Sequence, residues 1–214
     1  MTYGDPNWQP WIMDEAASLP LIKHAFDRGI NTWDVADTYS NGRSEEILGT
    51  AIKKYSLPRE KLVIMSKCFH EVDESRGPID VAGFGVNDGE RVNRVGLSRK
   101  HIFDVVDRSV ERLGTYIDVL QIHRLDRETP MEEIMKALND VVESGKVRYI
   151  GASSVRLPSS ARIVTLLTFY PDGGMGVPDA PEYRGEAWLA QVHFDAGILQ
   201  PCVPRGRARV DSLL

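Results

Sequence analysis

An aspartate, a tyrosine, a lysine and a histidine stand where apolar runs give way to polar residues: Asp34 and Tyr39 after one run, Lys67 at the end of a second, His123 after a third. Together they are equipment for moving a proton. A phenol, with an ordinary pKa of about 10, is a poor acid at neutral pH unless a neighbouring cation favours its phenolate. Lys67 supplies that cation if the runs are neighbouring strands. Asp34 then holds the ammonium by a salt bridge, and His123 orients a carbonyl oxygen by donating a hydrogen bond. Such a set suits the reduction of a carbonyl, with Tyr39 giving the proton and a cofactor giving the hydride. Taken singly, each residue has a plainer reading: Asp34 as a turn residue, Tyr39 as a rim aromatic, Lys67 as a solvated charge, His123 as a packing residue. Their common position at strand ends favours the chemical reading.

For these groups to meet, the runs that carry them must be parallel neighbours. Ile30 to Val35 reads as a short buried strand, Lys61 to Lys67 as a strand buried on both faces, and Tyr116 to Ile122 as a third. A fourth, Lys146 to Ile150, delivers Gly151 to Ser154. Helices separate them. Leu19, Ile22, Ala25 and Phe26 fall at helical spacing between Asp14 and Arg28, and Gly29 suits the position after the last turn. Pro20 leaves the start of that helix at either Asp14 or Ser18. Ser44 opens the next helix, with Glu45 and Glu46 in its first turn and Ile47, Leu48, Ala51, Ile52 and Tyr55 as its stripe. Ser98 caps a third, striped by Ile102, Val105, Val106, Ser109, Val110 and Leu113 and closed by Gly114. Thr129 to Glu132 reads as a capping box with Pro130 at the first helical position, opening a helix that buries Ile134, Ala137, Leu138, Val141 and Val142 and stops at Gly145. Strict helix and strand alternation predicts right-handed crossovers and a parallel α/β sheet. In barrels of that kind the chemistry sits at the carboxyl ends of the strands.

Cys68 to Leu97 has little periodicity, and segments of that length are commonly functional loops or disordered. The formal charge of -5 and the pI near 5.6 leave no basic footprint, which argues against nucleic acid and anionic membrane as partners. No run approaches the ~20 apolar residues of a membrane span, and the first residues lack the pattern of a signal peptide. With Cys68 and Cys202 as the two cysteines, a reducing, cytoplasmic setting is expected and no disulfide framework. His24, His70, His101 and His193 show no metal-ligand spacing and read as surface or packing residues. Nothing in the pattern sets the oligomeric state.

Three motifs carry a family resemblance: Gly29 to Tyr39 with the following Gly42, Arg43, Ser44, Glu45 and Glu46; Val63 to Lys67; and Tyr116 to His123. In this order they resemble the aldo-keto reductase superfamily over residues 1–154. Within it the chain is most similar to the fungal aryl-alcohol dehydrogenase group, itself similar to the potassium-channel β subunits. The resemblance implies a TIM barrel, NADPH as hydride donor, small-molecule aldehydes or ketones as substrates, and a catalytic tetrad of Asp34, Tyr39, Lys67 and His123. It also puts Asp34 at the cofactor and matches Ser153 and Ser154 to the family's Ser-Asn pair at the nicotinamide carboxamide, with serine at the second position.

The chain departs from the family twice. Family members carry a leading segment and first barrel strand before Met1, and a full barrel usually needs roughly 250 residues. After Ser154, residues 155–214 contain no lysine, hold six of the twelve prolines, and lose the helix and strand alternation. The expected fold is therefore a partial (β/α)8 TIM barrel, roughly its first half, in residues 1–154, with an atypical tail in 155–214. A one-base shift over Met175 to Pro181, and again over Arg205 to Leu213, can yield family-like sequence. Residues 155 to about 172 then read as an unspliced intron, and an in-frame transcript without this change would dispose of the idea. A half barrel exposes two sheet edges and one uncovered face, so weak or absent NADPH binding is expected of this chain. The alternative function is a non-catalytic binding or regulatory module on the same fold; a third reading is a chain with no stable fold.

Overall fold

The computed structural model describes residues 1–73 and 89–153, all within the first of the two units into which the chain divides, Met1–Arg162. Helix α1, Glu15–Asp27, leads into strand β1, Thr32–Asp34; α2, Arg43–Lys54, into β2, Val63–Cys68; α3, Arg99–Leu113, into β3, Ile117–Ile122; and α4, Met131–Glu143, into β4, Val147–Ala152. All neighbouring strands are parallel, in the order β1-β2-β3-β4. This is the expected partial barrel arrangement: each strand reaches the next through one helix.

Local chemistry decides where the helices begin. Asp14 accepts the Ala17 N–H at 2.9 Å, so α1 starts there and Pro20 lies inside it. Ser98 accepts the His101 N–H and Gly114, at φ +66°, closes α3 as expected. α2 begins one residue early, after Gly42 at φ +95°, with no side-chain cap. The capping box of α4 does not form: Pro130 is the N-cap and no side chain caps the helix. Thr129 donates its hydroxyl to Asp126 at 2.8 Å. Glu133 reaches across to accept the Arg99 N–H at 3.0 Å, at the start of α3.

The helices cover one face of the sheet. Ile64, Leu120 and Ile122 are buried there with Ile47, Leu48 and Ala51 of α2, Ile102, Val106 and Leu113 of α3, and Ile134, Leu138 and Val141 of α4. Gly49 lets α2 and α3 meet: a Cβ on it would lie 2.5 Å from the Arg112 carbonyl oxygen. The opposite face is less evenly covered among the described residues: Lys67, Ile117, Val119 and Val147 are buried on it, and others are not. Thr32, Asp34 and Tyr149 are exposed, and Val63 and Met65 are half-buried. This corrects two expectations. β1 alternates, with Trp33 buried between exposed neighbours, and Ile30 is exposed outside it. β2 alternates between half and full burial up to Ser66. Continuous burial needs cover on both sides, and among the described residues the helices cover one.

Candidate active site

The chain keeps following β2 after β1 ends: Val35 N–H donates to the Met65 carbonyl at 2.9 Å and Asp37 N–H to that of Lys67 at 3.3 Å. It then turns back through three left-handed residues, Ser40 at φ +49°, Asn41 at +55° and Gly42 at +95°. Asn41 fastens the turn to the segment beyond β2 by accepting the Asp73 N–H at 2.8 Å. This geometry returns the Tyr39 phenol to the end of β2, where Lys67 waits.

Lys67 is almost fully buried. Its ammonium has three protons to place and three acceptors: an Asp34 carboxylate oxygen, the Val35 carbonyl at 3.0 Å and the Tyr39 hydroxyl at 3.1 Å. The ammonium also lies 4.7 Å from the centre of the Tyr39 ring. A buried cation must be compensated, and Asp34, half exposed, compensates it while Tyr39 Oη stays within its reach. His123 enters from β3, its N–H donating to the Cys68 carbonyl at 3.0 Å, and its ring meets that of Tyr39 edge-on at 5.8 Å between centres. Burial, the neighbouring His70, Lys67 and Arg124 hold the His123 pKa down to about 3. The ring is therefore neutral at physiological pH and carries one N–H donor.

Two further devices hold the rim. Asp126 accepts the Leu97 N–H at 2.7 Å, the Glu128 N–H at 2.9 Å and the Thr129 hydroxyl, tying the loop after β3 to the one before α3. Burial opposes its ionisation, but these bonds outweigh it and its carboxyl sits below the ordinary range. Only glycine fits at Gly96, at φ +97°, where a Cβ would come within 2.6 Å of Asp126 Oδ2. Behind the site, Glu45 and Arg112 form a buried ion pair at 2.8 Å, and Ser66 donates to the same carboxylate.

All four tetrad residues therefore gather at one rim: Asp34, Lys67 and Tyr39 by direct bonds, His123 by ring contact. Ser153 stands at the end of β4, half-buried, its N–H donating to the Ile122 carbonyl at 2.9 Å. Ser154 lies outside the described residues. Three participants were not visible in the sequence reading. Gln121 is level with Lys67 in the β2–β3 register and with Gly151 in the β3–β4 register, and its amide nitrogen is buried without a partner. A glutamine in a strand that is apolar apart from Asp118 was the available signal. His70, read as surface or packing, lies against His123 at 5.2 Å between ring centres. Asp37, fully buried, has its carboxyl pushed well above the ordinary range by burial and then by the charge of Glu45. Cys68 is a free, buried thiol, and burial followed by the Asp37 charge pushes its pKa up, so it is no nucleophile at neutral pH.

The polar groups left open on this rim fit a nicotinamide. The Gln121 amide nitrogen and His123 Nδ1 are buried polar atoms without a partner, and Gly151 presents bare backbone where a Cβ would crowd Gln121 Cγ at 3.0 Å. Among the described residues no group of three or more His, Cys, Asp or Glu can hold a metal ion. No helix among them is long and apolar enough to cross a membrane.

Comparison with known proteins agrees with this geometry. The family model described as "Aldo/keto reductase family" matches residues 1–169. The chain belongs to the aldo/keto reductase family. It is 64% identical over 156 residues to a versiconal hemiacetal acetate reductase of Aspergillus parasiticus, covering 72% of this chain and 46% of that protein. It is 52% identical over 160 residues to a Saccharomyces cerevisiae protein named provisionally as an aryl-alcohol dehydrogenase, with the same two coverages. Among solved structures it matches a thermostable aldo-keto reductase in complex with the inhibitor epalrestat, at a TM-score of 0.56 and 27% identity, covering 71% of this chain and 46% of that one. The chain thus spans about half the length of the curated relatives it matches. The aldo/keto reductase family is one of oxidoreductases that work with a nicotinamide cofactor.

Proposed function

We propose that this chain carries the proton-transfer half of an NADPH-dependent carbonyl reductase acting on aldehydes or ketones, aromatic ones first. The observation that supports it most is the Lys67 ammonium, shared between the Asp34 carboxylate and the Tyr39 hydroxyl at 3.1 Å. NADPH, when bound, supplies the hydride that reduces the carbonyl carbon. Tyr39 supplies the proton to the carbonyl oxygen, so that the alcohol leaves neutral. The phenolate left behind faces the Lys67 charge, which lowers the cost of forming it. Asp34 fixes the ammonium and prevents its drift into solvent. His123, uncharged, donates one hydrogen bond to the same carbonyl oxygen and orients it. Gln121 and Ser153 are the polar groups of this rim that suit the carboxamide of a nicotinamide, and the family resemblance adds Ser154 to them. The names of the fungal relatives support the substrate class, and the absence of a basic footprint accords with a small neutral substrate.

The same reading takes residues 155–214 as an atypical tail with a retained intron and a frame change, which sequencing of the transcript tests. NADPH binding by the 214-residue chain is then weak. A fluorescence titration of the purified protein measures it: a tight, saturable signal would contradict that part of the reading. The reductase itself is tested by NADPH oxidation with a panel of aromatic aldehydes, on this chain and on a frame-restored version together. Turnover in the restored protein supports the assignment; binding of a protein partner without turnover in either would favour a regulatory module.

A further inference from the structure

His123 has no hydrogen bond to fix its ring. Nδ1 is buried without a partner, although histidines with a set orientation are ordinarily held through the nitrogen that does not do the work. Its plane must then be set by packing. Two rings bear on it: Tyr39 at 5.8 Å and 82°, and His70 at 5.2 Å and 77°. Tyr39 is the reacting group, which leaves His70 as the non-reacting support. His70 is itself buried at the end of β2 and braced edge-on by Phe69 at 5.0 Å.

We propose that His70 is a positioning residue, whose ring fixes the plane and tautomer in which His123 presents Nε2 to a bound carbonyl. The inference rests on the carbonyl-reductase reading for its consequence in turnover, but the ring contact is a property of the protein alone. The groups around the pair are Lys67 from β2, Tyr39 from the turn after β1, Arg124 from the segment after β3 and His101 from α3. Burial, then Arg124 and His101, lower the His70 pKa to about 4, so the support, like the ring it holds, is neutral near pH 7. Two neutral rings edge-to-face can pack without adding a second cation beside Lys67. A protonated His123 would repel that ammonium, whose proton-bearing nitrogen must stay on Tyr39.

Ring nitrogen chemical shifts of the 214-residue chain labelled with nitrogen-15 histidine test this directly, with the His123 signal assigned from its loss in His123→Phe. In the wild type one neutral tautomer, protonated at Nε2, is expected and should persist at pH 5. His70→Ala should broaden or mix the two tautomers and move the titration upward toward the ordinary histidine value. His70→Phe, which keeps a ring, should stay close to wild type. If His70→Ala does not fold, His70→Gln gives the same comparison without a ring. In the carbonyl assay on the frame-restored protein, kcat should fall about tenfold in His70→Ala or His70→Gln, with KM for NADPH unchanged, and recover in His70→Phe. A His123 spectrum and kcat unaltered by Ala or Gln at position 70 would overturn the proposal. A changed His123 spectrum together with no carbonyl reduction by the frame-restored protein would uphold the positioning contact and overturn the reductase reading instead.

Discussion

The two faces of the sheet obey different rules. On the helix-backed face the apolar side chains are buried and even the charged groups are answered: Ser66, Glu45 and Arg112 bond one another in a closed set. On the opposite face Asp34 and Tyr149 are exposed, Met65 is half-buried, and the Gln121 and His123 nitrogens end without partners. A polar group that is fully satisfied has no further bond to offer a ligand. The face that stabilises the domain is thus the one whose ion pair is closed, with His101 Nε2 its unpartnered atom, and the proposed chemistry lies on the other.

The largest effect that would break this contrast is loss of the buried ion pair. Arg112→Met leaves Glu45 charged and unpaired in the interior, and a cost of about 3–5 kcal/mol is expected in urea unfolding. A loss under 1 kcal/mol would mean that the pair is not what joins α2 to α3. Next comes a matched pair of truncations. Leu120→Ala, on the helix-backed face, should cost about 2–5 kcal/mol, while Met65→Ala on the opposite face should cost clearly less. Equal losses would show that the opposite face is evenly covered in solution.

Asp37 gives the most specific test, read as a slope against pH. Its folded pKa lies well above the ordinary 3.8, so the folded state keeps a proton that the unfolded chain releases. Below pH 4 both states hold it and the residue is neutral in effect. As pH rises, the wild type should lose about 1.4 kcal/mol per pH unit relative to Asp37→Asn until the folded carboxyl ionises. Unfolding of both proteins between pH 4 and 7 measures this. Parallel curves would mean that Asp37 is ionised and paired in the fold.

The same contrast explains what could be read from the residues alone. Features made by near neighbours were legible: the Asp14 and Ser98 caps, the Gly114 stop, and the stripes of α2, α3 and α4, where Val110, Val142, Ile52 and Tyr55 proved half-buried at the margins. The gathering of Asp34, Tyr39, Lys67 and His123 on one rim was legible because Asp34, Lys67 and His123 stand at strand ends and Tyr39 follows β1 in the same motif. Features decided by a competing or distant partner were not. The α4 capping box did not form, and the burial expected of β1 depended on cover that one face lacks among the described residues. His70 and Gln121 acquired their place from strand register and ring contact, neither of which leaves a local pattern. Ser154 and the whole tail fall outside the described residues, so the frame change stands as a proposal.

The claim at the centre is that Tyr39, held on Lys67, gives the proton. The measurement that meets it most directly is NADPH-dependent reduction of an aromatic aldehyde by Tyr39→Phe beside the unaltered protein, in the 214-residue and frame-restored forms. Phenylalanine keeps the ring and removes only the proton donor. Turnover should fall by about 10²–10⁴-fold, while NADPH affinity and the melting curve stay as they were. Reduction at the unaltered rate would take Tyr39 out of the reaction and the proton-transfer assignment with it.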